Sequence, residues 1–434
     1  MVKREKIAPS FQVPDDIEID ILSRLSVKSL LRFKCVKKSW RYFIEDPVFI
    51  AMHLDYYGKS SVGFLLYGSR PYKYIKQYLN CSSIDVSMSI KILFGESPGY
   101  MIGSINGLVC LSNNLYFFLK EDKRLSIYIC NPSTREILEL PECHHAYNDF
   151  VLSIGFGFCP KFNDYKVVVV KLLDSVVNVR DPNCCLFSLG VEVYSWNRNS
   201  WRSTKIVNPR SVLTTSFQGK GYFNGAFHWG GRDLKSSKRM IMSFQFDEEV
   251  FRELNLPNHP DFQEENYFLN ALIIEYQNFF SLIIKQKVNM HVYDLWVMKE
   301  YGVSDSWIKQ LTIEVPVLEV RLMFRPVMSF ENNGELLVLS DWYGRIVWYN
   351  TKTKQIERSK EVLRGRSIRY KESLVSLSRK KVYNAPSSLC LYPLHSLYKS
   401  LSMASMELIC KPSRESTNIL QFNYVPVIIY FEML

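Results

Sequence analysis

Two hydrophobic patterns divide the chain. Between residues 14 and 54 apolar positions recur at helical spacing. After residue 60 short runs of Val, Ile, Phe, Tyr and Trp alternate with Asn, Gly, Asp and Ser, the texture of strands and hairpins. In the first region Pro14-Asp15-Asp16 reads as a helix start, with carboxylates facing the positive end of the helix dipole. Ile17, Ile21, Leu22 and Leu25 then place one apolar face on that helix. Ser26 can cap a second helix, whose Val27, Leu30, Leu31, Phe33 and Val36 cover more than one face and predict burial on two sides. Ser39-Trp40 leads a third helix through Phe43 and Ile44. Asp46-Pro47 ends it and begins a fourth with Phe49, Ile50, Met52 and Leu54. A module of about forty residues is too small to bury this much apolar surface alone. Some of it must meet a partner or the rest of the chain.

The second region repeats. One unit, strand, polar turn, then a large apolar residue opening a second strand, occurs as IYICNPSTREILELP from Ile127, VEVYSWNRNSWRSTKI from Val191 and IMSFQFDEEVFRELNLP from Ile241. It recurs as YDLWVMKEYGVSDSWIKQLTI from Tyr293 and IVWYNTKTKQIERSKEV from Ile346. The opening residues are Ile137, Trp201, Phe251, Trp307 and Ile356, a period of about fifty. Another strand pair precedes each unit, with turns such as Asn163-Asp164, Gln277-Asn278 and Asn332-Asn333-Gly334. Four strands per fifty residues is the signature of a kelch-type β-propeller blade, and radial repetition also hides sheet edges. Five blades are clear. A sixth is expected from 61–95 together with 366–384, closing the ring between its N- and C-terminal ends.

The run PDDIEIDILSRLSVKSLLRFKCVKKSWRYFIEDPVFIAMHL resembles an F-box, the helical motif that docks on the Skp-type adaptor of cullin-based ubiquitin ligases. Val13 and Ser26 depart from the usual Leu and Pro, without breaking the apolar face. The resemblance implies that Pro14, Ile21, Leu22, Leu25, Leu30 and Val36 bear on the adaptor. The motif order NPSTREILELP, FGFCPKFNDYKVV, NGAFHW, IMSFQFDEEVFRELNLP and YDLWVMKEYG resembles the F-box-associated domain of plant F-box/kelch-repeat proteins. Within that family, Asn106 to Cys110, the NDYKVV strand and Tyr370 to Leu377 look similar to S-locus F-box proteins, whose pollen members recognise stylar ribonucleases in self-incompatibility. The expected organisation is therefore α plus all-β: an F-box at 11–56, a propeller of five to six four-stranded blades at 61–384, and an irregular tail at 385–434.

Composition narrows the function. The formal charge is +11, but residues 1–60 carry +3, 351–434 carry +8 and the middle is neutral. A nucleic-acid-binding ring would carry the excess on its own blades, so no nucleic-acid partner is expected. Apolar runs fall short of the roughly 18 residues that span a bilayer, so no membrane partner is expected. The N-terminus lacks an apolar signal region, which points to the cytoplasm, with the nucleus also open. The ten scattered cysteines then read as reduced, mostly buried thiols.

Catalytic chemistry is not expected. Cys143-His144-His145 has no second ligand pair nearby, and adjacent His side chains on a strand point to opposite faces. His228 reads as a core or rim histidine, and Glu248-Glu249 and Glu264-Glu265 as solvated turn residues. The basic cluster Lys34, Lys37, Lys38 and Arg41 reads as a solvated face. Tyr147, Tyr301 and Trp342-Tyr343 are loop-tip aromatics that could anchor a partner, although core packing suits each better. No metal, cofactor or catalytic residue is assigned. The resemblance implies the substrate-recognition subunit of a Skp–cullin–F-box ubiquitin ligase, with a protein substrate (a stylar ribonuclease if the S-locus resemblance holds). The competing reading is a propeller ligand-binding protein or enzyme whose helices only pack.

Overall fold

The computed structural model describes residues 13–60, 62–68, 74–79, 85–90, 100–113, 125–143, 150–177, 185–207, 211–213, 221–233, 236, 238–259, 262, 271–286, 292–314, 329–331, 336–340, 346–358 and 365–378. All belong to the first of two units, Met1–Ser378. The expected tail at 385–434 lies outside the described residues.

Four helices come first: α1 (Asp15–Ser23), α2 (Val27–Phe33), α3 (Lys38–Glu45) and α4 (Pro47–Ser60). Their ends follow from local chemistry. The Pro14 carbonyl accepts from Ile17 N at 3.0 Å and opens α1. Ser26 Oγ accepts from Ser29 N at 3.3 Å and caps α2. Asp46 Oδ1 accepts from Val48 N at 2.7 Å, and Pro47 begins α4, where its missing N–H costs nothing. One buried residue or more from each helix (Leu22, Val27, Leu30, Ile44 and Phe49) builds a small common core.

Strands β1 (Val62–Gly68), β2 (Tyr74–Leu79) and β3 (Asp85–Ile90) follow. The second sheet is β4 (Tyr100–Ile105), β5 (Leu108–Ser112), β6 (Ile127–Asn131) and β7 (Glu136–Glu139). The third is β8 (Phe150–Cys159), β9 (Asp164–Val177), β10 (Cys185–Ser195) and β11 (Ser200–Val207). The fourth holds β12 (Ser211–Leu213), β13 (Gly221–Phe223), β14 (Ala226–Asp233), β15 (Arg239–Gln245) and β16 (Val250–Asn255), with β12 and β13 both paired to β14. The fifth is β17 (Ala271–Tyr276), β18 (Phe279–Lys285), β19 (Val292–Met298) and β20 (Trp307–Glu314). The sixth is β21 (Ser329–Glu331), β22 (Leu336–Ser340), β23 (Ile346–Asn350) and β24 (Ile356–Arg358). The last strand, β25 (Gly365–Lys371), returns to pair antiparallel with β1, from Val62 opposite Lys371 to Gly68 opposite Gly365. The expected closure is thus formed by the two ends of the repeat region, and the first sheet runs β25-β1-β2-β3.

The inner strands contact one another in succession: β25 with β4, β4 with β8, β8 with β13, β13 with β17, and β17 with β21. That is the radial arrangement of a propeller. The five residues that marked the repeat all lie in the fourth strand of their sheets. They pair with the third strand as Cys130 with Ile137, Tyr194 with Trp201, Phe244 with Phe251, Met298 with Trp307 and Tyr349 with Ile356. Tight hairpins between first and second strands use left-handed backbone at Asn106-Gly107 (φ 52 and 76) and Gln277-Asn278 (φ 48 and 65). This is the turn that matches the twist of paired strands.

Neighbouring sheets are stitched by polar bonds as well as packing. Trp201 Nε1 donates to Pro141 O at 2.7 Å, and Trp307 Nε1 donates to Asn255 O at 3.0 Å, each reaching back to the sheet before. Tyr222 donates to Phe158 O and Tyr349 to Glu314 O in the same sense. Inside the third sheet Lys171 and Glu192 form a buried ion pair at 2.7 Å across β9 and β10.

Candidate functional site

The helical module presents an apolar stripe. Ile17 and Ile21 are each 45% exposed, and their spacing of four puts them along one line of α1, while Val13, just before the helix, is 40% exposed. Val36, after α2, is 59% exposed. Pro14 is exposed and Leu25 half-buried. The six residues inferred for adaptor contact therefore separate into two groups. Pro14, Ile21 and Val36 offer surface, with Leu25 at the margin. Leu22 and Leu30 are 2% and 0% exposed and belong to the core shared by the four helices. They have no surface to give a partner in this arrangement. Ile17 and Val13 are exposed beside them.

The same helices are braced by charge. Glu18 accepts from Lys37 Nζ at 2.8 Å and from Trp40 Nε1 at 2.8 Å, tying α1 to the start of α3. The Lys37 hydrogen bond, aided by Trp40, holds the Glu18 carboxyl below its ordinary range. Arg41 pairs with Glu45 at 3.3 Å, and Lys34 lies 3.9 Å from the same carboxylate. Lys37, Lys38 and Arg41 are exposed and Lys34 half-buried, so this cluster lies on a solvated face, with Lys34, Lys37 and Arg41 paired to carboxylates of the same module. Trp40 stacks on Phe33 at 5.3 Å between centroids and is half-buried.

The two ends of the ring differ. The turns joining first to second and third to fourth strands leave from one end, and the helices attach there: α4 ends at Ser60 and β1 begins at Val62, beside the end of β25. The connections from second to third strands, and from each sheet to the next, leave from the opposite end. Tyr147, Trp342-Tyr343, His144-His145 and Glu264-Glu265 fall on such connections and lie outside the described residues.

Tyr301 is packing, not a loop-tip anchor. Its hydroxyl is 2.8 Å from His228 Nε2, and its ring meets Phe223 and Phe280. His228 is fully buried between the fourth and fifth sheets, its Nδ1 3.2 Å from Gly221 O, and burial pushes its pKa down to about 4. Glu249, read from sequence as a solvated turn residue, instead bridges two sheets. It accepts from Lys166 Nζ at 2.8 Å and pairs with Arg202, both from the third sheet. Lys166 also donates to Phe246 O at 2.7 Å. Its signal in the sequence was only an acidic turn, because the partners lie more than forty residues away.

Among the described residues Cys110, Cys130 and Cys159 are free thiols and buried, Cys143 is buried, and Cys35 is a free thiol and exposed. Burial pushes the Cys130 thiol up to about 12, so it is an inert core group. No three His, Cys, Asp or Glu side chains converge among the described residues, and none of the described helices is long and apolar enough to cross a membrane. The basic run at the end of the ring is divided: Arg369 lies 3.9 Å from Glu275 on the fifth sheet, and Arg379-Lys380-Lys381 lie outside the described residues.

Family comparisons agree with this architecture. Residues 59–382 match the F-box associated beta propeller domain, and residues 11–51 match the F-box domain. The F-box protein At3g07870 of Arabidopsis thaliana is 29% identical over 353 residues, covering 75% of this chain and 79% of that protein. The F-box/kelch-repeat protein At3g23880 of Arabidopsis thaliana is 29% identical over 323 residues, covering 71% and 81%. Among solved structures, TolB from Acinetobacter baumannii aligns over 74% of this chain and 71% of that one, with a TM-score of 0.41 and 10% identity, too loose a likeness to carry an inference. Four short helices joined to a ring of four-stranded sheets, with both segments matched in order, place this chain in the family of F-box proteins that carry an F-box-associated β-propeller domain.

Proposed function

We propose that the chain is the substrate-recognition subunit of a Skp–cullin–F-box ubiquitin ligase, acting by position and contributing no catalytic residue. The observation that carries this is the exposed stripe Val13, Ile17 and Ile21 on a braced helical module attached to one end of the ring. Aliphatic side chains in a line, rimmed by charge, suit a hot-spot interface with a Skp-type adaptor, and through it a cullin. The opposite end of the ring faces away from the helices and is where a protein substrate would be held. In this division 11–56 docks, 61–384 recognises, and 385–434 belongs to neither. A narrower reading makes the substrate a stylar ribonuclease in pollen self-incompatibility. It is supported only by the Asn106–Cys110, NDYKVV and Tyr370–Leu377 segments.

Co-purification of the full chain with a Skp-type adaptor and cullin tests the docking half. The wild-type chain is expected to capture both, and substitution of Val13, Ile17 and Ile21 by Asp to abolish capture. A chain that assembles with neither protein would sink the reading. Affinity mass spectrometry with the proteasome blocked then reports the substrate.

A further inference from the structure

Among the described residues, the buried core of the helical module contains one that is not helical. Leu374 is 3% exposed and packs with Leu22 of α1, Val27 and Leu30 of α2, Ile44 of α3 and Phe49 of α4. It sits in the segment after β25, some 320 residues or more beyond the helices it touches. The segment follows the end of β25 at Lys371 and belongs to no strand. Leu374 enters the helical core, whereas Val375 and Leu377 pack into the core of the second and third sheets.

Polar bonds anchor this segment to the second sheet. Asn131, fully buried, donates through Nδ2 to Ser373 O at 3.0 Å and to Val375 O at 2.7 Å. Its Oδ1 accepts from Ser133 N at 2.9 Å, so one side chain forms the turn and holds the segment. Ser133 Oγ lies 2.6 Å from the Tyr370 hydroxyl. Glu136 accepts from Leu377 N and Ser376 Oγ, both at 2.8 Å. Gly107 lets the chain pass: a Cβ there would lie 2.0 Å from Ser373 Cβ and 2.9 Å from Lys371 O.

From this geometry we infer that residues 372–377 are a strap that completes the F-box core, with Leu374 as a positioning residue for the adaptor face, so that adaptor docking requires a closed ring. Leu374 reaches the helices only when β25 has paired with β1 and the strap has seated on Asn131 and Glu136. Leu22, adjacent to exposed Ile21 on α1, rests in the same cluster as Leu374. Loss of Leu374 therefore opens a void in the cluster on which Leu22 and α1 rest, and a chain lacking its last blade strand presents an incomplete F-box. The proposal rests on the adaptor-docking reading for its affinity consequence, but not for its structural one.

The experiment compares full-length wild type with Leu374→Ala, Leu374→Met and Leu282→Ala. Leu282 is a fully buried leucine of the fifth sheet and serves as a control of similar chemistry. Adaptor affinity is measured by titration, and amide exchange is followed across 15–60. Leu374→Ala is expected to weaken adaptor binding about tenfold or more and to speed exchange in α1 to α4, as large-to-small core changes do. Leu374→Met, which keeps the volume, is expected to stay within about threefold of wild type. Leu282→Ala is expected to lower the melting temperature while leaving affinity and helix exchange intact. The proposal is overturned if Leu374→Ala leaves helix exchange at the wild-type rate, or if Leu282→Ala speeds it equally. A wild-type chain that does not bind adaptor defeats the functional reading alone, and the exchange measurements still decide the strap.

Discussion

The helical module and the ring solve the problem of burial in opposite ways. Each sheet of the ring finds its core in itself and in the next sheet, and the two ends of the repeat region pair with each other as β1 and β25. Its inner residues, such as Val167 to Val170, are fully buried in consecutive positions. The module has six core residues, one of them borrowed from the strap, and still leaves Ile17, Ile21 and Val36 uncovered. Apolar surface left open on a small braced element is what an interface requires, whereas the ring keeps its apolar residues between sheets and leaves only the outer strands as edges. The comparison separates two kinds of substitution: those that unfold the ring and those that disable the module.

The largest ring effect is expected at the buried ion pair. Glu192→Leu strands the Lys171 ammonium without its carboxylate and should cost about 3–5 kcal/mol, read by denaturant unfolding. A cost below about 1 kcal/mol would mean that water or another group already satisfies Lys171.

Acid should act on the ring through His228. Its pKa in the folded chain is about 4, below the ordinary 6.5, because burial disfavours the cation. Above pH 6.5 both folded and unfolded states are neutral at this group. Between 6.5 and 4 the unfolded chain takes up a proton that the folded chain refuses, so stability falls, by about 3 kcal/mol in all. His228→Phe should flatten that part of the pH profile. An unchanged profile would remove His228 as its cause.

Gly107→Ala is expected to cost about 1–3 kcal/mol from left-handed strain alone, with the clash against Ser373 added. Unlike the two ring changes, it should also loosen the module, seen as faster amide exchange in α2. The smallest effect belongs to the stitches between sheets. Trp201→Phe removes the bond to Pro141 O and should cost about 1 kcal/mol with no change at the helices. A larger change in α1 to α4 than in the third sheet would contradict the separation.

The ring was legible because its grammar is local. Ile137, Trp201, Phe251, Trp307 and Ile356 each follow a polar turn by a few residues, and each sits in a fourth strand. The closure of β25 on β1 followed from the unpaired repeats at either end. The module was legible as helices but not as faces, since α1 carries apolar residues on two sides and periodicity alone does not say which side the protein itself covers. Leu22 and Leu30 entered the contact set through the F-box resemblance, which does not say which side of a helix this chain covers itself, and Ile17 was not in that set. Leu374, Asn131 and Glu249 were invisible for a different reason. Their partners are far away in sequence, and their residue types, a leucine among strands, a turn asparagine, an acidic turn, carry an ordinary local meaning that hides the distant one.

The central claim is that the exposed line on α1 docks an adaptor while the rest of the chain stays folded around it. Titration of the full-length chain with a Skp-type adaptor, for wild type and Ile17→Asp/Ile21→Asp, tests it most directly, with thermal unfolding recorded on both. Because both side chains are about half exposed, the double variant should melt close to wild type and lose adaptor affinity by about thirtyfold or more, equivalent to about 2 kcal/mol. Equal affinity for the two proteins, or loss of binding accompanied by unfolding, would contradict the account.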